Sequence, residues 1–401
     1  MWATFEMPDG RGSAFDVLDH AAARGIDVRL IFWRPDEETP WLRRNAFWGS
    51  EIHLDLLNGR RSGVKIRWDR ARPGFCQHQK SWLIDAGTEN ETAFVGGINL
   101  NPHSMVKPGH NGEGHNHDVY VKLAGPSVVD VHHNFVQRWN EASGRLEEHG
   151  RWGTGSETNL QFPDRNAAGC GSAVVQIQRT MHAGRYFDGA ATPGGTSYNI
   201  AAGEQSNFNQ YCEAINAARR SIYLEHHSVD VPEIVDCLHR ALKRGVEVSL
   251  LMPAEPGISL PVSPERLEFL KVRGKLGNFE NFILAGIAGT GADGCRKSIY
   301  VHAKLMLIDD EWATVGSCNL HHFSLFGNSE MNVAFSDPNT VRAFRCELLR
   351  EHLDLDTSAI DDGEAHHLFR KIAKENRRRL EAGNHSWQGL VFELDISTYV
   401  G

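Results

Sequence analysis

The chain has 401 residues, 41% of them hydrophobic and 23% charged, and its 42 basic against 51 acidic side chains give a formal charge of -9. That length exceeds one ordinary hydrophobic core and predicts two domains or two fused repeats. The acidic balance argues against a protein whose main task is to coat nucleic acid, which usually takes a basic surface.

No apolar run approaches the roughly 18 to 20 residues that a membrane-spanning helix needs. Residues Met1 to Glu6 show no secretory pattern, and seven scattered cysteines without CxxC pairs read as reduced thiols. The expected location is the cytoplasm or the periphery of a membrane.

In chain order, Phe15, Val17, Leu18 and Ala21 recur at helical spacing over residues 13–24, and a β-branched run over 26–33 follows Gly25. Trp33 closes that strand and reads as core, although with Trp41 and Trp48 it also suits an interfacial belt. Lys80 to Asp85 reads as a strand, and a second apolar run, Ala93 to Val95, ends at glycine. His110, His115 and His117 lie in a glycine- and asparagine-rich stretch; a solvated or substrate-lining loop is expected rather than a metal site, because the flanking acids show no ligand spacing.

Residues 151–173, rich in Gly, Ser, Asn and Thr, read as a linker between a first unit over 1–150 and a second over 174–401. The second unit opens with an amphipathic stretch, Asn207 to Arg219, and a strand at Ser221 to Glu225. A helix over 232–244 and a strand over 246–252 follow. Ala254 to Lys297 reads as a long apolar-bearing loop containing Ile258, Leu260, Val262, Phe269, Phe279 and Phe282. Lys304 to Asp309 and Ala313 to Val315 repeat the earlier strand pair, and Arg377 to Arg379 with Lys371 and Lys374 read as a solvated helix face. The alternation of strands and helices predicts an α/β layered fold.

The two units share their order of landmarks. Ala23 to Ile31 reads like Lys243 to Leu251, and Gly96-Gly97-Ile98-Asn99 matches Gly316-Ser317-Cys318-Asn319, both at an offset of 220. His78, Lys80 and Asp85 match His302, Lys304 and Asp309, and Asp118 matches Glu330. Offsets that drift only by loop lengths indicate duplication. Ser221 to Glu225 corresponds to Met1 to Phe5, so the first unit begins without the helix that precedes this strand in the second.

A lone HxK is common by chance, but here HxKxxxxD occurs twice at equivalent places, each time followed by glycine and asparagine. This doubled constellation resembles the phospholipase D superfamily from about Ala23 to Phe335, and Gly389 to Asp395 looks like the closing strand of bacterial phospholipases D. The resemblance implies two fused α/β repeats with pseudo-twofold symmetry and one composite phosphodiesterase site. Positions i and i+2 of a strand share a face, so His78 groups with Lys80 and His302 with Lys304. Lys80, Lys304, Asn99 and Asn319 then bind the phosphate oxygens, and no metal or other cofactor is needed for charge neutralisation.

By the resemblance, His78 is the nucleophile and His302 the general acid, and Asp118 and Glu330 are the acids that orient the imidazoles. Whether each acid serves its own unit's histidine or the other's stays open. Asp85 and Asp309, an odd number of residues beyond their lysines, turn to the opposite strand face and read as structural. The family pattern is broken where Gly97 replaces a serine and where His103 and Phe323 precede Ser104 and Ser324.

The leading expectation is a phospholipid headgroup as substrate at a membrane surface, with water or a primary alcohol as acceptor and no stable nucleic-acid partner. The rivals are a nuclease of the same chemistry and a catalytically silent membrane-binding scaffold. Cardiolipin synthesis is a weaker expectation, because its usual bacterial enzymes resemble this chain but carry N-terminal membrane helices that the sequence does not show.

Overall fold

A computed structural model describes residues 7, 10–35, 51–60, 62–110, 115–146, 151–152, 159–255 and 263–400. Trp41, Trp48, Ile258, Leu260, Val262 and the Met1 to Phe5 segment lie outside these residues.

The first unit begins with α1 (Ala14–Ala23), whose start is set by a capping box: Ser13 Oγ accepts from the Asp16 N–H, and Asp16 accepts from the Ser13 N–H. The strands β1 (Arg29–Trp33) and β2 (Lys65–Asp69), separated in sequence by α2 (Glu51–Gly59), pair in parallel. A separate antiparallel sheet holds β3 (Ser81–Ile84), β4 (Thr92–Gly96) and, beyond the short β5 (Asn116–His117), β6 (Tyr120–Ala124). The helix α3 (Val128–Asn140) closes this unit.

The second unit runs β7 (Val174–Met181), β8 (Glu204–Gln205), α4 (Ser206–Ala217), β9 (Ser221–Glu225), α5 (Pro232–Lys243), β10 (Glu247–Leu251), α6 (Pro264–Gly274), β11 (Phe282–Thr290) and β12 (Arg296–Val301). It continues through β13 (Leu305–Ile308), β14 (Trp312–Gly316), α7 (His322–Phe326), β15 (Glu330–Ser336), α8 (Pro338–Leu353), α9 (Asp362–Glu381) and β16 (Val391–Glu393). Its strands form most of an 11-stranded mixed sheet in the order β5-β12-β11-β10-β9-β13-β14-β15-β7-β8, with β16 on β11.

Helix α5 illustrates why these segments fold as they do. Pro232 occupies the first turn, where its missing N–H costs nothing; Ile234, Val235, Leu238, Ala241 and Leu242 bury one face, and Arg240 and Lys243 sit near the negative end of the helix dipole. That face covers Ile222, Leu224, Val248 and Leu250 of β9 and β10. On the other side of the large sheet, Leu305, Leu307, Val315, Met331 and Val333 join Ala93, Val95 and Leu123 of the smaller sheet in one core. Each such aliphatic side chain contributes roughly 1.5–3 kcal/mol on burial, so the two sheets are joined by a shared hydrophobic core.

Over its described residues, the stretch from Ala254 to Lys297 is mostly helix and strand rather than loop. Phe269 lies on α6, begun by the Ser263 cap and Pro264, while Phe282 opens β11 and is 5% exposed, and Phe279 packs against the same core. Phe282 is a core residue, and Phe269 and Phe279 are half-buried against the same core. Trp33 ends β1 half-buried, and the arginines of α9 pair with acids of their own helix, Arg377 with Glu381 and Arg379 with Glu375.

Candidate active site

Each HxK motif enters a strand beside the acid of the opposite unit. The His78 N–H donates to the Ser329 carbonyl at 2.9 Å and the Ser329 N–H to the Cys76 carbonyl at 3.0 Å, so Gln77 bridges Ser329 in parallel. In the other unit, β12 pairs in parallel with β5, and the His302 N–H donates to the His117 carbonyl at 2.8 Å. This register leaves the next residue on each acid-bearing strand, Glu330 and Asp118, facing the other unit's imidazole.

The acids therefore cross between units. His78 Nδ1 lies 2.8 Å from Glu330 Oε2, and His302 Nδ1 lies 2.6 Å from Asp118 Oδ2. An ionised carboxylate only accepts, so in each pair the proton sits on Nδ1 and Nε2 is left for chemistry. Glu330 is fully buried and also accepts from Ser317 Oγ at 2.6 Å and from the Ser324 hydroxyl. Asp118 is shorter and has a different setting: its Oδ1 accepts from the Val119 N–H at 2.8 Å, and a Cβ at position 97 would lie 2.3 Å from that oxygen. Glycine at 97 makes the room that Asp118 occupies, whereas serine at 317 is a ligand of Glu330.

The lysines are drawn into the same pocket. Lys80 Nζ donates to the His78 carbonyl at 2.7 Å, and Lys304 Nζ to the His302 carbonyl. Lys304 is fully buried, and burial first, then its repulsion from Lys80, pushes it down to about 7 although Asp118 works the other way. Burial, followed by Lys304, pushes His302 down to about 4; His78 is also lowered, chiefly by burial, with Glu330 opposing. Lys80 also lowers His302 and Lys304 also lowers His78, so each lysine acts on the histidine of the other motif as well as its own.

Asn319 is 2% exposed, and its side-chain oxygen lies 2.5 Å from His227 Nδ1, which directs the amide NH₂ away from that ring. Asn99 sits half-buried in the loop after β4. Asp309 accepts from the backbone N–H groups of Arg219, Arg220 and Ser221 at 2.9, 2.8 and 2.8 Å, tying down the entry to β9. Asp85 occupies an exposed turn with the same left-handed backbone, φ 54° against 56° for Asp309.

Two further histidines border the site and do not stand out in the sequence. His227 stacks on His302 with centroids 6.2 Å apart and planes 18° apart, and His321 packs edge-on against His227 at 5.4 Å. His321 Nδ1 accepts from the Ser324 N–H, capping α7, as Asn101 accepts from the Ser104 N–H in the first unit. Their sequence signal is the His226-His227 pair just after a strand and the histidine two residues beyond Asn319.

The His110 to His117 stretch departs from the solvated loop expected of it. His110 and His117 are buried at 3% and 7% exposure, with ring nitrogens 3.0 Å apart, beside Glu225, Glu351 and His352.

Fold and site together define a class: a mixed α/β protein whose pocket pairs two carboxylate-anchored imidazoles with two ammonium groups, an arrangement suited to an anionic phosphodiester. The cardiolipin synthase, PLD-like domain family model matches residues 211–351, from α4 into α8. Phospholipase D alpha 2 of Oryza sativa subsp. japonica is 22% identical over 88% of this chain and 60% of its own length. A probable cardiolipin synthase, YwiE, of Bacillus subtilis is 24% identical over 83% of this chain and 56% of its own. A phospholipase D family member from Salmonella typhimurium, Nuc, aligns in its crystal structure with 43% of this chain and 90% of its own at 19% identity and a TM-score of 0.29. These matches support the phospholipase D superfamily as the group of proteins this chain is similar to. The chain spans less than two thirds of the length of these plant and bacillary relatives.

Proposed function

We propose that the chain is a phospholipase D-type phosphodiesterase that cleaves the headgroup phosphodiester of a glycerophospholipid at a membrane surface, in one site shared by two fused repeats, 1–150 and 174–401, joined by 151–173. The observation that carries this reading is the crossing of the acids, His78 with Glu330 and His302 with Asp118, which makes neither unit complete without the other.

In the reaction, the Nε2 lone pair of His78 attacks phosphorus while Lys80, Lys304, Asn99 and the free amide of Asn319 hold the non-bridging oxygens. The bond to the headgroup oxygen breaks and takes a proton from His302 Nε2. Water then gives a proton to His302 as its oxygen attacks phosphorus, the P–N bond breaks, and phosphatidic acid leaves. A primary alcohol in place of water accepts the phosphatidyl group instead. The order of the histidines rests on the family resemblance; burial lowers both imidazoles.

Lipid as substrate is supported by the relatives' names and by the acidic balance of the chain, not by the Ala254 to Lys297 stretch, whose described aromatics belong to the fold. The family match also supports transfer to a second lipid's hydroxyl, which the sequence alone ranked lower. Among the described residues no helix is long and apolar enough to cross a membrane.

Incubation with phosphatidylcholine and ethanol tests the reading: phosphatidic acid and phosphatidylethanol are expected, and phosphatidylglycerol supplied alone distinguishes a synthase by yielding cardiolipin. Either His78→Ala or His302→Ala lowers turnover by roughly 10³-fold or more, because nucleophile and acid act as a unit. Cleavage of plasmid DNA without lipid turnover would establish the nuclease instead, and full activity of either variant would refute the shared site.

A further inference from the structure

Behind the pocket, the end of β5, the end of β9 and the last turn of α8 meet in a buried cluster. His117 Nε2 lies 2.9 Å from Glu225 Oε2, and His352 Nε2 lies 3.0 Å from Glu225 Oε1, with Glu225 and His352 fully buried. On the far edge of the His117 ring, His110 Nε2 lies 3.0 Å from His117 Nδ1, and Glu351 Oε1 accepts from the Gly109 N–H at 2.7 Å. Tyr223 donates to Glu225 Oε1 at 2.8 Å.

We infer that His117, Glu225 and His352 form a binding site for one divalent transition ion of the zinc class, which fastens the two units together behind the catalytic pocket.

Three observations carry this assignment. First, among the described residues no lysine or arginine pairs with the fully buried Glu225 or the partly buried Glu351, so the groups facing these two carboxylates that can carry charge are imidazoles. Burying an uncompensated charge costs several kcal/mol. One imidazolium would leave the group at a net charge of -1, whereas a divalent ion on neutral imidazoles balances both acids. Second, Glu225 is fully buried and each of its carboxylate oxygens lies against an imidazole nitrogen, Oε2 2.9 Å from His117 Nε2 and Oε1 3.0 Å from His352 Nε2, so one carboxylate and two rings converge. Third, the three ligand atoms lie within 4.8 Å of one another. A tetrahedral ion with bonds of about 2.0–2.1 Å separates its ligands by about 3.3 Å, which lies inside that limit.

Two imidazoles and one carboxylate suit zinc-class ions better than magnesium or calcium, which prefer all-oxygen shells. His110 then orients the second nitrogen of a ligating imidazole. The ion would also hold the strand that precedes Asp118, because the His117 carbonyl accepts from the His302 N–H at 2.8 Å and the Ala303 N–H at 3.0 Å.

The test needs no catalysis. Untagged protein from zinc-supplemented cells, purified without chelator, should hold about one equivalent of zinc by plasma mass spectrometry. Stripping with dipicolinate should lower the melting temperature, and zinc chloride should restore it. His352→Ala removes a ligand and should weaken zinc binding by more than the roughly 10- to 100-fold that loss of an outer partner costs; if it does not fold, Glu225→Gln and the stripped wild type provide the same comparison. Wild type that neither retains zinc nor shifts its melting with added zinc overturns the assignment and leaves a proton as the occupant. Zinc binding unchanged in both variants overturns it equally, since the metal then sits elsewhere.

Discussion

The substitution Gly97→Ala isolates the Asp118 contact without touching a catalytic group. Gly97 has no left-handed backbone to lose, so the effect is steric: the new Cβ would stand 2.3 Å from Asp118 Oδ1 and 3.0 Å from its Cγ, where ordinary contact begins near 3.4 Å. The carboxylate must retreat by about 1 Å, and because it is rigid its other oxygen moves with it. The 2.6 Å bond to His302 then passes beyond hydrogen-bond range. A hydrogen bond to a charged group is worth about 1.5–3 kcal/mol, or roughly 10- to 150-fold in rate. Turnover of phosphatidylcholine should fall by that factor. A p-nitrophenyl phosphodiester, whose leaving group needs little acid assistance, should be affected much less. Gly97→Ser combined with Asp118→Glu copies the Ser317–Glu330 pair and should recover part of the loss. An equal loss on both substrates would make His302 the nucleophile, and no loss on either would refute a functional role for the contact.

Stability should fall in mild acid through His366, which is buried against Ser249 and pushed down to about 3 by burial foremost, with Asp362 opposing. A histidine whose folded value is depressed stabilises fully above its unfolded value of ~6.5 and loses that contribution as pH falls toward the folded value, about 2 kcal/mol between pH 6.5 and 5. Urea unfolding at pH 7 and 5 should show that drop in the wild type and less of it in His366→Phe; identical pH slopes would contradict the reasoning. The lowered value of Lys304 makes anion binding take up a proton. Sulfate, which does not titrate near neutrality, should therefore raise the melting temperature more at pH 6.5 than at 8.5. Lys304→Arg should flatten that difference, and a pH-independent sulfate effect in the wild type would exclude Lys304 as its source.

Much of this was legible before any coordinates. Helix α5 and strand β10 announce themselves by periodicity and by Gly245, and the motif strands β13 and β3 follow from an HxK whose i and i+2 positions share a face. The partner of each histidine was not, because which acid meets which ring is decided by how two sheets pack, here through Ala93 and Val95 against Leu305 and Met331. His227 escaped the repeat comparison since its counterpart at the same offset is Met7. The apolar stretch after Ala254 misled because Phe269 and Phe282 read alike in a segment broken by proline and glycine, although Ser263 and Pro264 form a helix start. The burial of His117 depends on Glu225 and His352, each more than a hundred residues away in sequence, so no local spacing could reveal it.

The central claim, one site in which two histidines from different units share a covalent reaction, is tested most directly by trapping the intermediate. Acid-quenched turnover of phosphatidylcholine, digested and mapped by mass spectrometry, should place a phosphatidyl group on His78 at Nε2, the nitrogen turned away from Glu330. The adduct should accumulate in His302→Ala, which lacks the group that activates water, and be absent in His78→Ala. Label on His302 with His78→Ala the accumulating variant would reverse the roles, and turnover with no adduct on either histidine under trapping conditions would contradict the mechanism.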